Sequence, residues 1–323
     1  MWGNFKSIFG WTASAFLVEL FFENNVKKFP LLILSRKIAP GFSLAYVPWG
    51  PEFPEFFPIE QRPAAAAQIA KKLKKQISRN VMFMRFEPPW QKTETEELFL
   101  IAGFKKAAAA VQPPDTVIID LNVSCEEILM QMKPKWRYNI SLAEKKGIKV
   151  DTCGVRQINV FYNLLKETAQ RDGIAVHDIN YYRTLFEICE NEKEKLNICL
   201  YTASHENDVL AAIVVLFRGK DAIYLYGASS NIKRNMMAPY ALQWKAMQDA
   251  KEKGCVNYDL FGIPPNEEPN HPMAGLYRFK TGFGGQIIHR AGTWDYPYKK
   301  ICYHLFNTAE KFRKKLMNLK KKK

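Results

Sequence analysis

The sequence lacks most of the devices that enzymes use for metal or covalent chemistry. Its six cysteines, Cys125, Cys153, Cys189, Cys199, Cys255 and Cys302, have no CxxC spacing. Its five histidines make no HExxH or similar pair. Neither a metal centre nor a disulfide framework is expected, and no cofactor motif stands out. Most of the cysteines sit inside apolar periodic segments, as small core residues of a reducing compartment do. No serine or cysteine occupies a nucleophile elbow, which favours direct attack of one substrate on another over a covalent enzyme intermediate. Apolar runs are far shorter than a membrane span and are broken, for example by Glu19. The apolar opening, Met1 to Phe22, has no basic start and no cleavage site. The expected location is cytoplasmic.

What is present is a large, basic, core-forming chain. Its 323 residues suffice for one large domain or two ordinary ones, and 47% hydrophobic with 13% aromatic content excludes a disordered class. Lys and Arg outnumber Asp and Glu by 47 to 32, a net charge of +15. Such an excess points to polyanionic partners: RNA, anionic lipid or phosphorylated substrates. The tail from Ala309 to Lys323 is the most basic part, with eight Lys or Arg against one Glu. It reads either as a solvated helix end or as a binding element. Leu305, Phe312, Leu316 and Leu319 fall at helical spacing and predict an amphipathic helix that docks before the lysine run.

Along the chain, strand patterns at Phe16–Leu20, Leu31–Leu34, Ser43–Val47 and Val81–Phe86 surround an alanine-rich helix opened by Pro63 and running to about Ser78. Thr116–Leu121 is a buried strand. Ser124 with Glu127 forms a capping box, and Pro134 opens a second, basic helix ended by Gly147. After Val155 come two helices, three strands, a helix opened by Pro239 and a last strand, Val256–Phe261. Tyr240, Trp244 and Met247 sit at core spacing on that helix. The pattern is helix-and-sheet twice over: residues 1–153, then 154–294, with 295–323 left over.

The stretch Met273–Gly285 concentrates the chemistry. Tyr277, Arg278, Phe279 and Lys280 are consecutive, and Phe283-Gly284-Gly285 marks a tight turn or a close approach. A lysine there is either a snorkelling surface residue or a fixed cation where negative charge develops in a reaction. One motif is a decoy. Gln170 to Ala175 matches the Q-x-x-G-x-A pyrophosphate loop of acetyl-CoA enzymes, but it follows a helix instead of joining a strand to a helix.

Several segments, taken together and in order, resemble one family. They are Trp2 to Lys6 with Gly10-Trp11, Ala45 to Pro51, Lys135 to Ile140, Tyr226 to Ser230, Pro239 to Trp244, Tyr258 to Gly262, and the stretch Tyr277 to Gly285. The chain is similar nearly end to end to the FemABX peptidoglycan-bridge aminoacyltransferases, which move an amino acid from aminoacyl-tRNA to the stem peptide of a cell-wall precursor. The resemblance implies an α/β chain of mixed sheets, built as two tandem GNAT-like acyltransferase domains. The first, 1–153, would bind the precursor and be completed by the C-terminal helix of 295–323. The second, 154–294, would carry the catalytic lysine. An edge strand that family members form ahead of the Trp2 motif would be absent, or else the start codon is misassigned.

By the same resemblance, Lys280 stabilises the tetrahedral intermediate and Phe279 positions it, with Arg278 beside them as a substrate contact. Arg36 or Lys37 would meet the precursor's diphosphate, unless both are solvated loop cations. Trp136, Arg137 and Asn139 fall where substrate meets the domain junction, or else Arg137 closes an ion pair there. Tyr226 either faces the cleft or is a core tyrosine. The implied partners are aminoacyl-tRNA and a UDP-MurNAc-pentapeptide or its lipid-linked form. Peripheral contact of the basic tail with the inner membrane face joins them. The alternatives are an acyl-CoA-dependent N-acyltransferase and a non-catalytic basic RNA- or membrane-binding protein.

Overall fold

A computed structural model describes residues 1–92, 96–192 and 196–320, with the backbone alone for residue 311 and residues 313–320. Lys321 to Lys323 of the basic tail lie outside the described residues. The chain forms two units: residues 2–114 with 289–323, and residues 115–288 together with Met1.

The first unit opens with α1 (Trp2–Ile8) and a long hairpin, β1 (Thr12–Phe22) and β2 (Asn25–Ala39), paired from Thr12↔Ser35 to Phe22↔Asn25. The apolar runs in the sequence mark only the middles of these strands. Next come β3 (Phe42–Pro48), α2 (Arg62–Leu73), β4 (Val81–Glu87), α3 (Glu96–Ile101) and the short β5 (Lys105–Lys106). Pro63 lies in the first turn of α2, as expected, but the helix stops at Leu73. All seven residues of β4 are buried, which accounts for their nearly unbroken apolar run.

The second unit contains β6 (Asp115–Asp120), α4 (Cys125–Gln131), α5 (Pro134–Lys145), β7 (Lys149–Cys153), α6 (Ile158–Asp172), α7 (Ile179–Asn191) and β8 (Leu196–His205). It continues with β9 (Asp208–Arg218), β10 (Asp221–Ser229), α8 (Ala238–Glu252), β11 (Asn257–Asp259), α9 (Ala274–Thr281) and β12 (Gln286–His289). Its sheet runs β12-β6-β11-β10-β9-β8-β7. Both predicted helix starts are present. Ser124 and Glu127 satisfy each other's backbone N–H groups, and Pro134 occupies the first turn of α5. Leu242, Ala246, Met247 and Ala250 of α8 are buried in the core, with Tyr240 and Trp244 packed against it.

The chain then returns to the first unit with β13 (Trp294–Pro297) and α10 (Lys300–Lys320), giving the sheet β1-β2-β3-β4-β13-β5 with β1 at its edge. β3 with β4 and β10 with β11 are parallel, while the other registered pairs are antiparallel. The architecture is therefore mixed α/β in two sheets. The units divide after Pro114 and after Ile288, earlier than the expected 153/154 and 294/295. The cause is pairing across sequence: β6 joins β11 through Tyr258↔Ile119, and β7 joins β8 through Val150↔Ala203.

Helix α10 also departs from expectation. Tyr303 is buried and stands edge-on to Phe83, and Phe306 packs on the same ring. Leu305 and Phe312, expected to dock, face outward with Ile301 (66%, 64% and 79% exposed), while the side chains of Leu316 and Leu319, expected to dock with them, lie outside the described ones. Beneath the helix, Arg85 forks onto both oxygens of Asp295 at 2.8 and 2.9 Å, and the Tyr303 hydroxyl donates to the same carboxylate at 3.1 Å. The Arg85 guanidinium and the Asp295 carboxylate are both buried, so the fork and the tyrosine answer the cost of taking these charges out of water.

Candidate active site

In the second unit, the parallel pairing of β10 with β11 lasts only three residues, from Asp221↔Asn257 to Ile223↔Asp259. Beyond it the chain after β11 follows β6: Leu260 N–H donates to Val117 O and Ile263 N–H to Asp115 O. Strand β10 continues to Ser229 on β9 alone among the described strands. The two strands part at Tyr224, and the site lies where they part.

Lys280 reaches this place from α9. Lys280 lies in the last turn of this helix, where a cation suits its negative end, and the turn expected at Phe283-Gly284-Gly285 follows it. The residue is 5% exposed, and its amine donates to Gly262 O at 2.9 Å and to Phe261 O at 3.2 Å. It also stands 5.1 Å from the centre of the Tyr224 ring. Burial pushes its pKa down to about 7, against the opposing pull of the Asp259 carboxylate. An ammonium has three donors. Two are spent on carbonyls, and among the described residues no acceptor takes the third.

The end of α9 is held by close contact. The Trp136 indole N–H donates to Phe279 O at 2.9 Å, satisfying one of the carbonyls that a helix end leaves unpaired. A Cβ on Gly282 would stand 2.1 Å from that indole. Gly284 and Gly285, both at φ +81°, run so close to Gln131 O and Ile118 O that a Cβ would stand 2.7 and 2.5 Å from them. The glycines flagged in the sequence are therefore sites of close approach as well as of turning.

The other expected residues are dispersed. Phe279 packs edge-on against Tyr240 and Phe283, and Tyr240 in turn meets the Trp136 ring. Arg278 is exposed. Arg137 donates to Met132 O at 2.6 Å and Met130 O at 3.3 Å, bracing the link between α4 and α5. Asn139 is buried on α5. Arg36 and Lys37 belong to the first unit, both exposed on β2. Arg36 lies 5.6 Å over the Trp11 ring, and its charge adds to burial in lowering the pKa of Lys6.

Tyr226 turns away from Lys280. A bulge between Tyr224 and Tyr226 breaks the two-residue alternation. Tyr224 then shares its face with Gly227, whose Cβ would collide with the Tyr224 hydroxyl at 1.8 Å. Tyr226 packs instead against Tyr182 of α7, ring centres 5.1 Å apart, beside Tyr181, on which His177 stacks at 3.9 Å. The residue at the amine is Tyr224, which sequence spacing could not separate from Tyr226. The decoy motif is a helix end: Gly173, at φ +63°, closes α6. Among the described residues no cluster of ligands suits a metal ion.

The fold is that of tandem GNAT-like domains. It is similar to the crystal structure of FemX, with TM-score 0.80 at 19% identity, over 95% of this chain and 93% of that one. It is more distantly similar to a tandem GNAT protein of clavulanic acid biosynthesis, with TM-score 0.50 at 13% identity, over 88% and 82%. The FemAB family model matches residues 99–200 and 188–311, about two thirds of the chain, and the chain belongs to the FemAB family. The lipid II:glycine glycyltransferase of Staphylococcus saprophyticus is 22% identical, covering 99% of this chain and 92% of its own length. That of Staphylococcus epidermidis is 25% identical over 68% of this chain, and the match spans 66% of the relative's length.

Proposed function

We propose that the chain is an aminoacyltransferase that moves an amino acid from aminoacyl-tRNA onto the stem peptide of a lipid-linked peptidoglycan precursor. The observation that carries this reading is the buried Lys280 amine with one donor unspent, in a chain similar end to end to a lipid II:glycine glycyltransferase. The acceptor amine attacks the ester carbonyl. As that oxygen becomes anionic, Lys280 donates its third N–H to it in a site with little water to compete. The C–N bond forms, the ester C–O bond breaks, and the amine's proton ends on the departing ribose hydroxyl.

Phe279 and Trp136 act by fixing the end of α9, and Arg137 and Asn139 by bracing the helices behind it. In the first unit, Arg36 serves the precursor's diphosphate together with Lys6 and Trp11, while Lys37, next along the strand, points to the other face. Tyr226, with Tyr181 and His177, offers a second, aromatic surface for substrate, and exposed Arg278 a cation for tRNA. The outward stripe of Ile301, Leu305 and Phe312, beside a basic tail, suits peripheral contact with an anionic membrane. An acyl-CoA reading is weaker, because its one motif is spent on closing α6.

The test is transfer from individual charged tRNAs to a lipid-linked or UDP-linked pentapeptide. Product is expected with at least one pairing, and Lys280→Ala abolishes it while fold and tRNA affinity stay nearly intact. No product with any pairing would sink the proposal, and full turnover by the variant would remove Lys280 from the chemistry.

A further inference from the structure

The cradle of Lys280 depends on a turn that the chain does not adopt without help. Immediately after β11, Phe261 sits at φ +57°, a left-handed conformation rare for bulky residues. Both carbonyls that receive the amine, those of Phe261 and Gly262, issue from this turn. One side chain holds it: Asp259 Oδ1 accepts the Phe261 N–H at 2.7 Å. The same oxygen accepts the hydroxyl of buried Thr116 from β6, which ties the carboxylate to the neighbouring strand.

Asp259 also acts on Lys280 through its charge. It is the carboxylate whose attraction opposes the effect of burial on the amine. The other ionisable groups around the amine do not take its place. Burial pushes Tyr224 up to about 12 and Tyr258 well above its usual value, so both are neutral. Asp115 and Asp120 stand at the two ends of β6, and Arg278 on α9 is exposed.

We propose that Asp259 is the positioning residue of this site. Through the Phe261–Gly262 turn it sets where the Lys280 amine stands, and its carboxylate charge faces that amine. The inference rests on Lys280 being the working cation. Asp259 touches no reacting atom and acts only through the lysine.

The test uses Asp259→Asn, which preserves an acceptor for the Phe261 N–H and removes the charge. Lysine labelled with 13C at Cε reports the Lys280 titration by NMR, the signal being assigned by its loss in Lys280→Arg. The midpoint is expected to fall by about 1 pH unit or more, the usual effect of losing a nearby opposite charge. The alkaline limb of the kcat/KM profile should move down with it. Asp259→Ser, a shorter acceptor without charge, is the second variant should the first fail to fold, with the same shift expected. An unmoved midpoint in folded Asp259→Asn overturns the effect of its charge. An unmoved midpoint with unmoved kcat in Asp259→Ala, which also frees the Phe261 N–H, overturns the role of Asp259 and leaves that of Lys280 intact. A moved midpoint with an unmoved activity profile upholds Asp259 and overturns Lys280 as the working cation.

Discussion

The ring of Trp136 fills the space into which any side chain at residue 282 would project. The indole lies 2.1 Å from where a Gly282 Cβ would stand, and its N–H meets the carbonyl of Phe279. Trp136 thus fixes the end of α9 by both volume and hydrogen bonding, one residue before and two residues after Lys280.

Gly282→Ala is therefore expected to destabilise the protein by about 1–3 kcal/mol, the usual cost of overpacking. Trp136→Phe, losing the bond to Phe279 O, costs about 1 kcal/mol. Chemical denaturation of Gly282→Ala, of Trp136→Ala and of the two combined checks the contact. The double variant should be more stable than the sum of the separate losses predicts.

Lys280 makes stability depend on pH in a stated direction. Its folded pKa of about 7 lies below the 10.5 of the unfolded chain. Between these values the unfolded state holds a proton that the native state has released, so native stability rises with pH. Below about 7 the cost of burying the charge is fully present and constant; above 10.5 it is gone. Wild type should gain up to about 1.4 kcal/mol per pH unit through this window relative to Lys280→Met, measured by denaturant melts at pH 6 to 10.

The buried fork of Arg85 and Asp295 gives a prediction for the first unit. Asp295→Ala leaves the buried guanidinium with Glu310 at 3.7 Å in place of its fork, and should cost about 3–5 kcal/mol. Replacing both partners, as Arg85→Met with Asp295→Leu, should recover most of the loss. If the double variant were as unstable as the single one, the pair would matter for more than neutralising a buried charge.

The outward stripe of α10 predicts a lipid phenotype. Ile301→Ser, Leu305→Ser and Phe312→Ser combined should leave the fold intact, since these residues face outward. Co-sedimentation with vesicles of anionic phosphatidylglycerol should weaken several-fold. Binding that is unchanged by this triple variant but lost in high salt would assign the contact to the lysine run alone.

What was legible in the sequence was local. The capping box of Ser124 and Glu127 and the prolines opening α2 and α5 state their chemistry within four residues, and each starts a helix where expected. The ordered motifs carried the family and the double fold. What was not legible depends on distant partners. Residues 115–153 belong to the second unit because β6 and β7 pair with strands far along the chain. Tyr224, not Tyr226, meets Lys280 because one extra residue in β10 reverses the alternation that spacing assumes. The docked face of α10 is not legible because Tyr303 and Phe306, which do dock, lie outside the spacing of Leu305 and Phe312.

The three glycines after Lys280 invert the usual logic of mutational scanning. Alanine normally measures what is lost when a side chain is cut back. At residues 282, 284 and 285 it would measure what is gained, one methyl group each against an indole ring or a backbone carbonyl. Along Met273–Gly285, much of an alanine scan's damage should therefore fall on positions with no side chain to remove. The lysine is placed by how tightly its neighbours leave room for nothing else.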